Sequence, residues 1–193
     1  MKKDIILAGV GGQGILTVAA VIGLAAMEEG YNIKQSEVHG MSQRGGAVIS
    51  HLRISSDRIF SDLIPEGSAD IILGIEPMEA VRYLSFLKPE GRLITNSKPF
   101  VNIEDYPEHE KLLKYIDSLP RSIIIDADDI AKRIKAPKSS NVVMVGASSP
   151  FLGIKMQSLE KAVKMLFAKK GDKIISANIE ALKAGADAVT DKV

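Results

Sequence analysis

The chain has 193 residues, 46% of them hydrophobic, and a formal charge of +1 from 25 basic and 24 acidic side chains. That much apolar material excludes wholesale disorder, and the charge balance excludes a dedicated nucleic-acid binder, which is strongly basic as a rule. With no cysteine, the chain can supply neither a disulfide, nor thiolates to an iron–sulfur cluster, nor a cysteine nucleophile.

Taken in order, residues 5–8 are a short apolar run and read as a buried strand that ends at Gly9. Residues 9–14 form a glycine loop. Residues 15–29 then read as a helix that is apolar on nearly every side, hence buried, with Gly30 as its stop. Residues 31–36 look like a second strand, and 37–46 like a glycine-rich polar loop. Residues 47–54 alternate as a strand, and 58–62 are expected to return beside it as a hairpin. Residues 69–75 make another apolar strand, and Pro77 starts a helix expected to run to Leu87. Further strands are expected at 92–96 and 122–125, with an extended surface excursion at 97–108 between them. Helices are expected near 108–118, 128–135 and 141–147, the last capped by Ser139 or Ser140. Two amphipathic segments, 158–168 and 172–189, close the chain. Strands alternating with helices predict an α/β, Rossmann-like three-layer domain over residues 1–193, with a mainly parallel but mixed sheet and C-terminal helices. No signal-peptide pattern precedes the first strand, and the apolar stretch 15–27 is too short to span a bilayer. A cytoplasmic protein without a membrane anchor is expected.

Gly9-Val10-Gly11-Gly12-Gln13-Gly14 fits G-x-G-x-x-G after a strand and before a helix. Glycine lets the backbone approach a ligand, and the amides at a helix start favour an anion. A β-branched residue at Gly12 is expected to crowd this turn. A dinucleotide site also needs an acid for the ribose at the end of the next strand. Glu37 stands near that place. A stand-alone dinucleotide-binding oxidoreductase is therefore one reading, and tight strand–helix packing without a ligand is the other.

Glu37-Val-His-Gly-Met-Ser-Gln-Arg44 is the least generic stretch, with a carboxylate, an imidazole, a hydroxyl, an amide and a guanidinium in eight residues. Together with Gly9-Val-Gly-Gly-Gln-Gly-Ile-Leu-Thr17 it resembles the small (beta) subunit of indolepyruvate:ferredoxin oxidoreductases. More broadly it is similar to the gamma subunit or domain of pyruvate and other 2-oxoacid:ferredoxin oxidoreductases. Pro65-Glu-Gly-x-Ala-Asp70, Glu76-Pro-x-Glu-Ala-x-Arg-Tyr83 and Asn141-Val-Val-Met-Val-Gly-Ala147 extend the resemblance over most of the chain. The resemblance implies oxidative decarboxylation of an aryl 2-oxoacid with coenzyme A as co-substrate, giving an acyl-CoA, carbon dioxide and reduced ferredoxin. It places thiamine diphosphate, magnesium and iron–sulfur clusters on a large (alpha) catalytic subunit, with ferredoxin as electron acceptor. This chain alone is expected to bind none of these cofactors and to be inactive, and a homodimer of the isolated chain stays open. The sequence agrees: besides having no cysteine, it lacks the Gly-Asp-Gly and paired asparagines of a magnesium-bound thiamine diphosphate site.

The candidate site residues are Gly9, Gly11, Gly12, Gln13, Gly14, Glu37, His39, Gly40, Ser42, Gln43, Arg44 and Asn141. Arg44 is suited to a bidentate contact with a carboxylate or phosphate of a substrate, coenzyme A or a partner, or to an intrachain pair with Glu37 or another acid. His39 either moves a proton or is a hydrogen-bonded loop histidine. Glu37 braces the loop, and Gln13 donates to a phosphate or to the second loop. Asn141 caps its helix or faces the glycine loop. Ser42 lacks a base arrangement and is no hydrolase nucleophile. Asp126, Asp128 and Asp129 read as a helix start rather than a metal site, so no metal is expected here. His51 and His109 read as surface residues. Residues 132–193 carry 12 basic and 5 acidic side chains, which suits an acidic partner or simply solvated helix faces.

Overall fold

A computed structural model describes residues 1–40, 45–101 and 103–190. Six strands form one sheet: β1 (Lys2–Val10), β2 (Asn32–His39), β3 (Ala47–Ser55), β4 (Ala69–Gly74), β5 (Leu87–Asn96) and β6 (Ser122–Ile125). Their order is β2-β3-β1-β4-β5-β6. β1, β4, β5 and β6 run parallel, whereas β3 lies antiparallel to both β1 and β2. The sheet is therefore mixed, as the sequence predicts.

Alternation along the strands sends side chains to two cores. On one face Ile5, Leu7, Ile71 and Leu73 meet α1 (Ile15–Glu28), α4 (Ala127–Arg133), α5 (Ser140–Leu152), α6 (Met156–Phe167) and α7 (Asp172–Asp187). On the other, Ile6, Ile72 and Leu93 meet α2 (Pro77–Arg82) and α3 (His109–Asp117). Helix, sheet and helix make three layers. α1 is buried along most of its length, as its composition demands.

Local rules explain the boundaries. Pro77 opens α2, and the Glu76 side chain caps it by accepting the Glu79 amide at 2.8 Å. Asp126 caps α4 in the same way, so the aspartate cluster at 126–129 is a helix start. α5 runs on through Pro150, beyond its expected end. The proline removes the amide that would serve the Gly146 carbonyl, and the Ser149 hydroxyl donates to that oxygen instead at 2.7 Å.

Four expectations fail. Residues 58–62 form no strand. Instead Arg53, bidentate on the buried Asp4 at 2.7 and 3.1 Å, also donates to the carbonyls of Ser61 and Leu63 and pins the segment across the sheet. The helix after Pro77 stops at Arg82 and continues only as a 3-10 turn at Leu84–Phe86. Residues 37–39 are strand, not loop, because β3 pairs with β2 as far as His39. His51 is buried, with an edge contact to Phe86.

His51 carries a pH signature. Its Nδ1 accepts the buried Ile64 amide at 3.1 Å. Burial pushes its pKa below 6.5, and Arg53 adds to this while Asp62 opposes it. A depressed folded pKa means stability that is present above the unfolded value near 6.5 and is lost as pH falls below it. Denaturant unfolding should show stability falling between pH 7.5 and 5.5, and His51→Leu should flatten that slope. An equal slope in the variant would assign the loss to other groups.

Candidate functional site

The glycine loop is a closed turn at the end of β1. The Gln13 amide donates to the Val10 carbonyl at 3.1 Å, and the Gln13 side-chain oxygen accepts the Val10 amide at 2.8 Å. Gln13 thus fastens its own turn. Gly12 has φ +100° and Gly14, the residue before α1, has φ +80°. Both values favour glycine. The expected crowding at Gly12 is corrected: a Cβ there would meet nothing within 4 Å. The constraint on Gly12 is its backbone conformation. Close packing holds at Gly9, where a Cβ would lie 3.3 Å from that of Ile75 and 2.8 Å from the Gln13 side-chain oxygen.

Two contacts fix the loop to its surroundings. The Gly11 amide donates to the Gly46 carbonyl at 2.9 Å, and Gly45 returns a longer bond of 3.4 Å to Gly11. This stitches the glycine loop to the β2–β3 connection. On the other side the Asn141 side-chain amide, from the first turn of α5, donates to the Gly14 carbonyl at 3.4 Å. Asn141 therefore faces the glycine loop, one of its two expected roles.

Between the loop and the end of β2 lies a crevice of about 250 Å³, lined by Gly11, Gly12, Leu16, Glu37, His39 and Val48. Among the described residues the Gly12 and Gly14 amides donate to nothing, so the start of α1 offers donors on one wall. The opposite wall is a carboxylate. Glu37 is mostly buried, and its Oε1 accepts no hydrogen bond of acceptable geometry from a described residue. That oxygen lies in ion-pair contact with His39 Nε2, while among the described residues Oε2 takes only a long 3.4 Å bond from Gln35. The crevice thus holds spare donors beside a carboxylate with spare acceptor capacity. A simple anion would be repelled by Glu37 unless His39 carries charge. A ligand or partner with both a donor and an acceptor fits both walls.

Of the sequence-derived residues, Gly11, Gly12, Gly14, Glu37 and His39 line the crevice directly, while Gly9, Gln13 and Asn141 shape or anchor its loop. Gly40 belongs to the β2–β3 connection, where its amide donates to the Ala47 carbonyl. Ser42, Gln43 and Arg44 lie outside the described residues. Glu37 sits on the edge strand β2, separated from β1 by the antiparallel β3, whereas a dinucleotide fold places its ribose acid on a strand directly beside β1. Sequence reasoning missed Leu16, 59% exposed at the crevice mouth. Within an apolar helix nothing marks one leucine as the exposed one.

Comparison with known proteins identifies the family. The pyruvate ferredoxin/flavodoxin oxidoreductase family pattern matches residues 4–188. The chain is 36% identical to indolepyruvate oxidoreductase subunit IorB of Thermococcus kodakarensis, over 99% of this chain and 98% of that one. It is 38% identical to the IorB subunit of Archaeoglobus fulgidus, over 96% and 94% of the two chains. Among solved structures, pyruvate oxidoreductase subunit PORC of Thermotoga maritima superposes with a TM-score of 0.71 at 21% identity, over 96% of both chains. The fold is thus shared with a known subunit structure, and the chain belongs to the pyruvate ferredoxin/flavodoxin oxidoreductase family.

Proposed function

We propose that this chain is the small subunit of an indolepyruvate-type 2-oxoacid:ferredoxin oxidoreductase and completes a larger catalytic subunit in the cytoplasm. The observation that carries this reading is identity of 36–38% to two IorB subunits over nearly the whole of both chains. A subunit acting on indolepyruvate in those relatives makes an aryl 2-oxoacid the first substrate to test here. The partner supplies thiamine diphosphate with magnesium for the decarboxylation chemistry and iron–sulfur clusters for passing electrons to ferredoxin. This chain, without cysteine, cannot ligate such a cluster through thiolates. Its own contribution is the crevice. The glycine-loop amides, Glu37 and His39 present one face of the pocket that the two subunits share. Arg44, a few residues beyond His39 in the sequence, binds a carboxylate or phosphate of the 2-oxoacid or of coenzyme A.

Reconstitution tests this. The isolated chain should be inactive, and adding the large subunit should give 2-oxoacid-dependent viologen or ferredoxin reduction. A large subunit fully active alone would remove the completing role. Indolepyruvate and phenylpyruvate should give kcat/KM at least about tenfold above pyruvate, roughly 1.4 kcal/mol in transition-state binding. The reverse order would place the chain in the pyruvate branch. Arg44→Ala should lower activity while the complex still forms on gel filtration. Loss of assembly would instead make the connection a docking element only.

A further inference from the structure

A second concavity, of about 520 Å³, opens between the α4–α5 connection and the start of α7. Its size is that of a nucleotide site. Phe167 and Ile174 form an apolar wall. Lys135 and Lys138 approach it from the α4–α5 connection, and Lys170 and Lys173 from the turn into α7. Among the described residues no carboxylate lines it. None of these four lysines pairs with an acid among the described residues, although Arg133, Lys161 and Lys183 nearby in sequence all do. Four uncompensated cations around one small cavity repel each other and favour an anion at its centre. Ser139 adds a hydroxyl to the lining. It stands at the N-cap of α5 but makes no capping bond, so its hydroxyl can donate to a ligand in the cavity.

We propose that this cavity binds an organic phosphate of nucleotide size, with the flat apolar body against Phe167 and Ile174. The phosphates lie among the four lysines and accept from Ser139. Two features favour a small molecule over an acidic protein segment. All four lysines line one cavity, and the apolar Phe167 and Ile174 line the same cavity. The site is separate from the crevice but adjoins it. Asn141 lines this cavity while holding the Gly14 carbonyl, so a bound ligand touches the residue that anchors the glycine loop. The proposal is independent of the partner subunit and of the 2-oxoacid.

Calorimetry on the full isolated chain tests it, with ADP, with inorganic pyrophosphate as a charge-only probe, and with a short polyglutamate peptide. ADP should bind with a Kd below about 100 µM, equivalent to roughly 5.5 kcal/mol. Pyrophosphate should bind at least about tenfold more weakly, because it cannot use the apolar wall. Raising the salt should weaken both. Lys138→Glu/Lys173→Glu should weaken ADP by at least about tenfold. Those side chains are exposed, so the fold should persist, and Lys138→Gln/Lys173→Gln provides a milder version. Leu16→Asp, in the crevice, should leave ADP binding unchanged. The proposal is overturned by absent ADP binding at millimolar concentration, by equal affinity for pyrophosphate, or by affinity that follows Leu16→Asp rather than the lysines. Binding of polyglutamate without ADP would make the cavity a protein-docking patch and would overturn it too.

Discussion

Replacing Gly146 with alanine is expected to destabilise the fold by about 3 kcal/mol or more. At a solvent-facing helix position the same change would stabilise, since alanine is better than glycine by roughly 1 kcal/mol. Here it meets backbone. A Cβ on Gly146 would lie 2.0 Å from the Leu182 carbonyl oxygen, and a Cβ on Gly185 would lie 2.0 Å from the Val143 oxygen. The two glycines thus oppose each other where α5 crosses α7, and the helices touch backbone to backbone. A carbonyl inside a helix cannot rotate away as a side chain can. Relief requires the helices to part by more than an ångström, and Val142, Val143 and Leu182, all fully buried, lose contacts together. The overpacking term therefore exceeds the propensity gain. For a chain of this size the melting temperature should fall by roughly 6–12 °C. Gly23→Ala is the comparison: in α1 its Cβ would meet only the tip of Ile33 at 3.2 Å, so the change should stay within about 1 kcal/mol of neutral. A Gly146→Ala protein melting at or above the parent temperature would show that the helices are not in backbone contact. The crossing also bears on the site, because α5 carries Asn141 to the glycine loop.

That crossing marks the limit of what the sequence reveals. A glycine within a helical pattern signals a packing reason, and both glycines are visible as such. Their pairing joins residues 39 positions apart, and no local pattern encodes it. The strands of the parallel core were legible because apolar runs such as residues 5–8 and 69–75 have one physical explanation, burial on both faces. β2 was cut short for the opposite reason. An edge strand wet on one side tolerates Glu37 and His39, so its polar end reads as loop. Only its pairing with β3 shows that both residues stand on rigid backbone. That placement makes the crevice better ordered than a pair of loops would be. His51 was misread because its cover arrives from residues 59–64, held over it by Arg53. Alternation along a strand reports two faces but not what lies on them. At Gly12 the motif was right and the reason was not: the residue is fixed by φ, and the space beside it is open. The resemblance through residues 37–44 reached the family correctly, since it depended on residue identity and not on whether those residues form strand or loop.

Glu76→Ala is expected to cost about 3 kcal/mol, and the reason lies in how much one buried carboxylate serves. Glu76 is 1% exposed. One oxygen caps α2 through the Glu79 amide, a bond worth about 1 kcal/mol. The other accepts the Phe100 amide at 3.2 Å and the Tyr106 hydroxyl. The surface excursion after β5 is thereby tied to the start of α2. Removing the carboxylate leaves three donors unpaired, the Glu79 and Phe100 amides and the Tyr106 hydroxyl, at about 1 kcal/mol or more each. Glu76→Gln keeps the shape but offers one acceptor oxygen to three donors, so it should fall between parent and alanine. Tyr106 supplies a pH test of the same contact. Burial, and next the bond to Glu76, raise the Tyr106 pKa well above 10. A raised folded pKa means stability that is complete below the unfolded value near 10 and is lost as pH rises beyond it. Parent and Tyr106→Phe should therefore differ at pH 8 and converge above pH 10. Curves that stay parallel would show that the hydroxyl is not held by Glu76. The consequence reaches the crevice through one residue. Ile75 precedes Glu76, its amide donates to the Ala8 carbonyl, and its Cβ lies against the bare Cα of Gly9. Loosening Glu76 should disturb the glycine loop as well as α2. Activity of the reconstituted complex should then fall in Glu76→Gln even at temperatures where the variant remains folded.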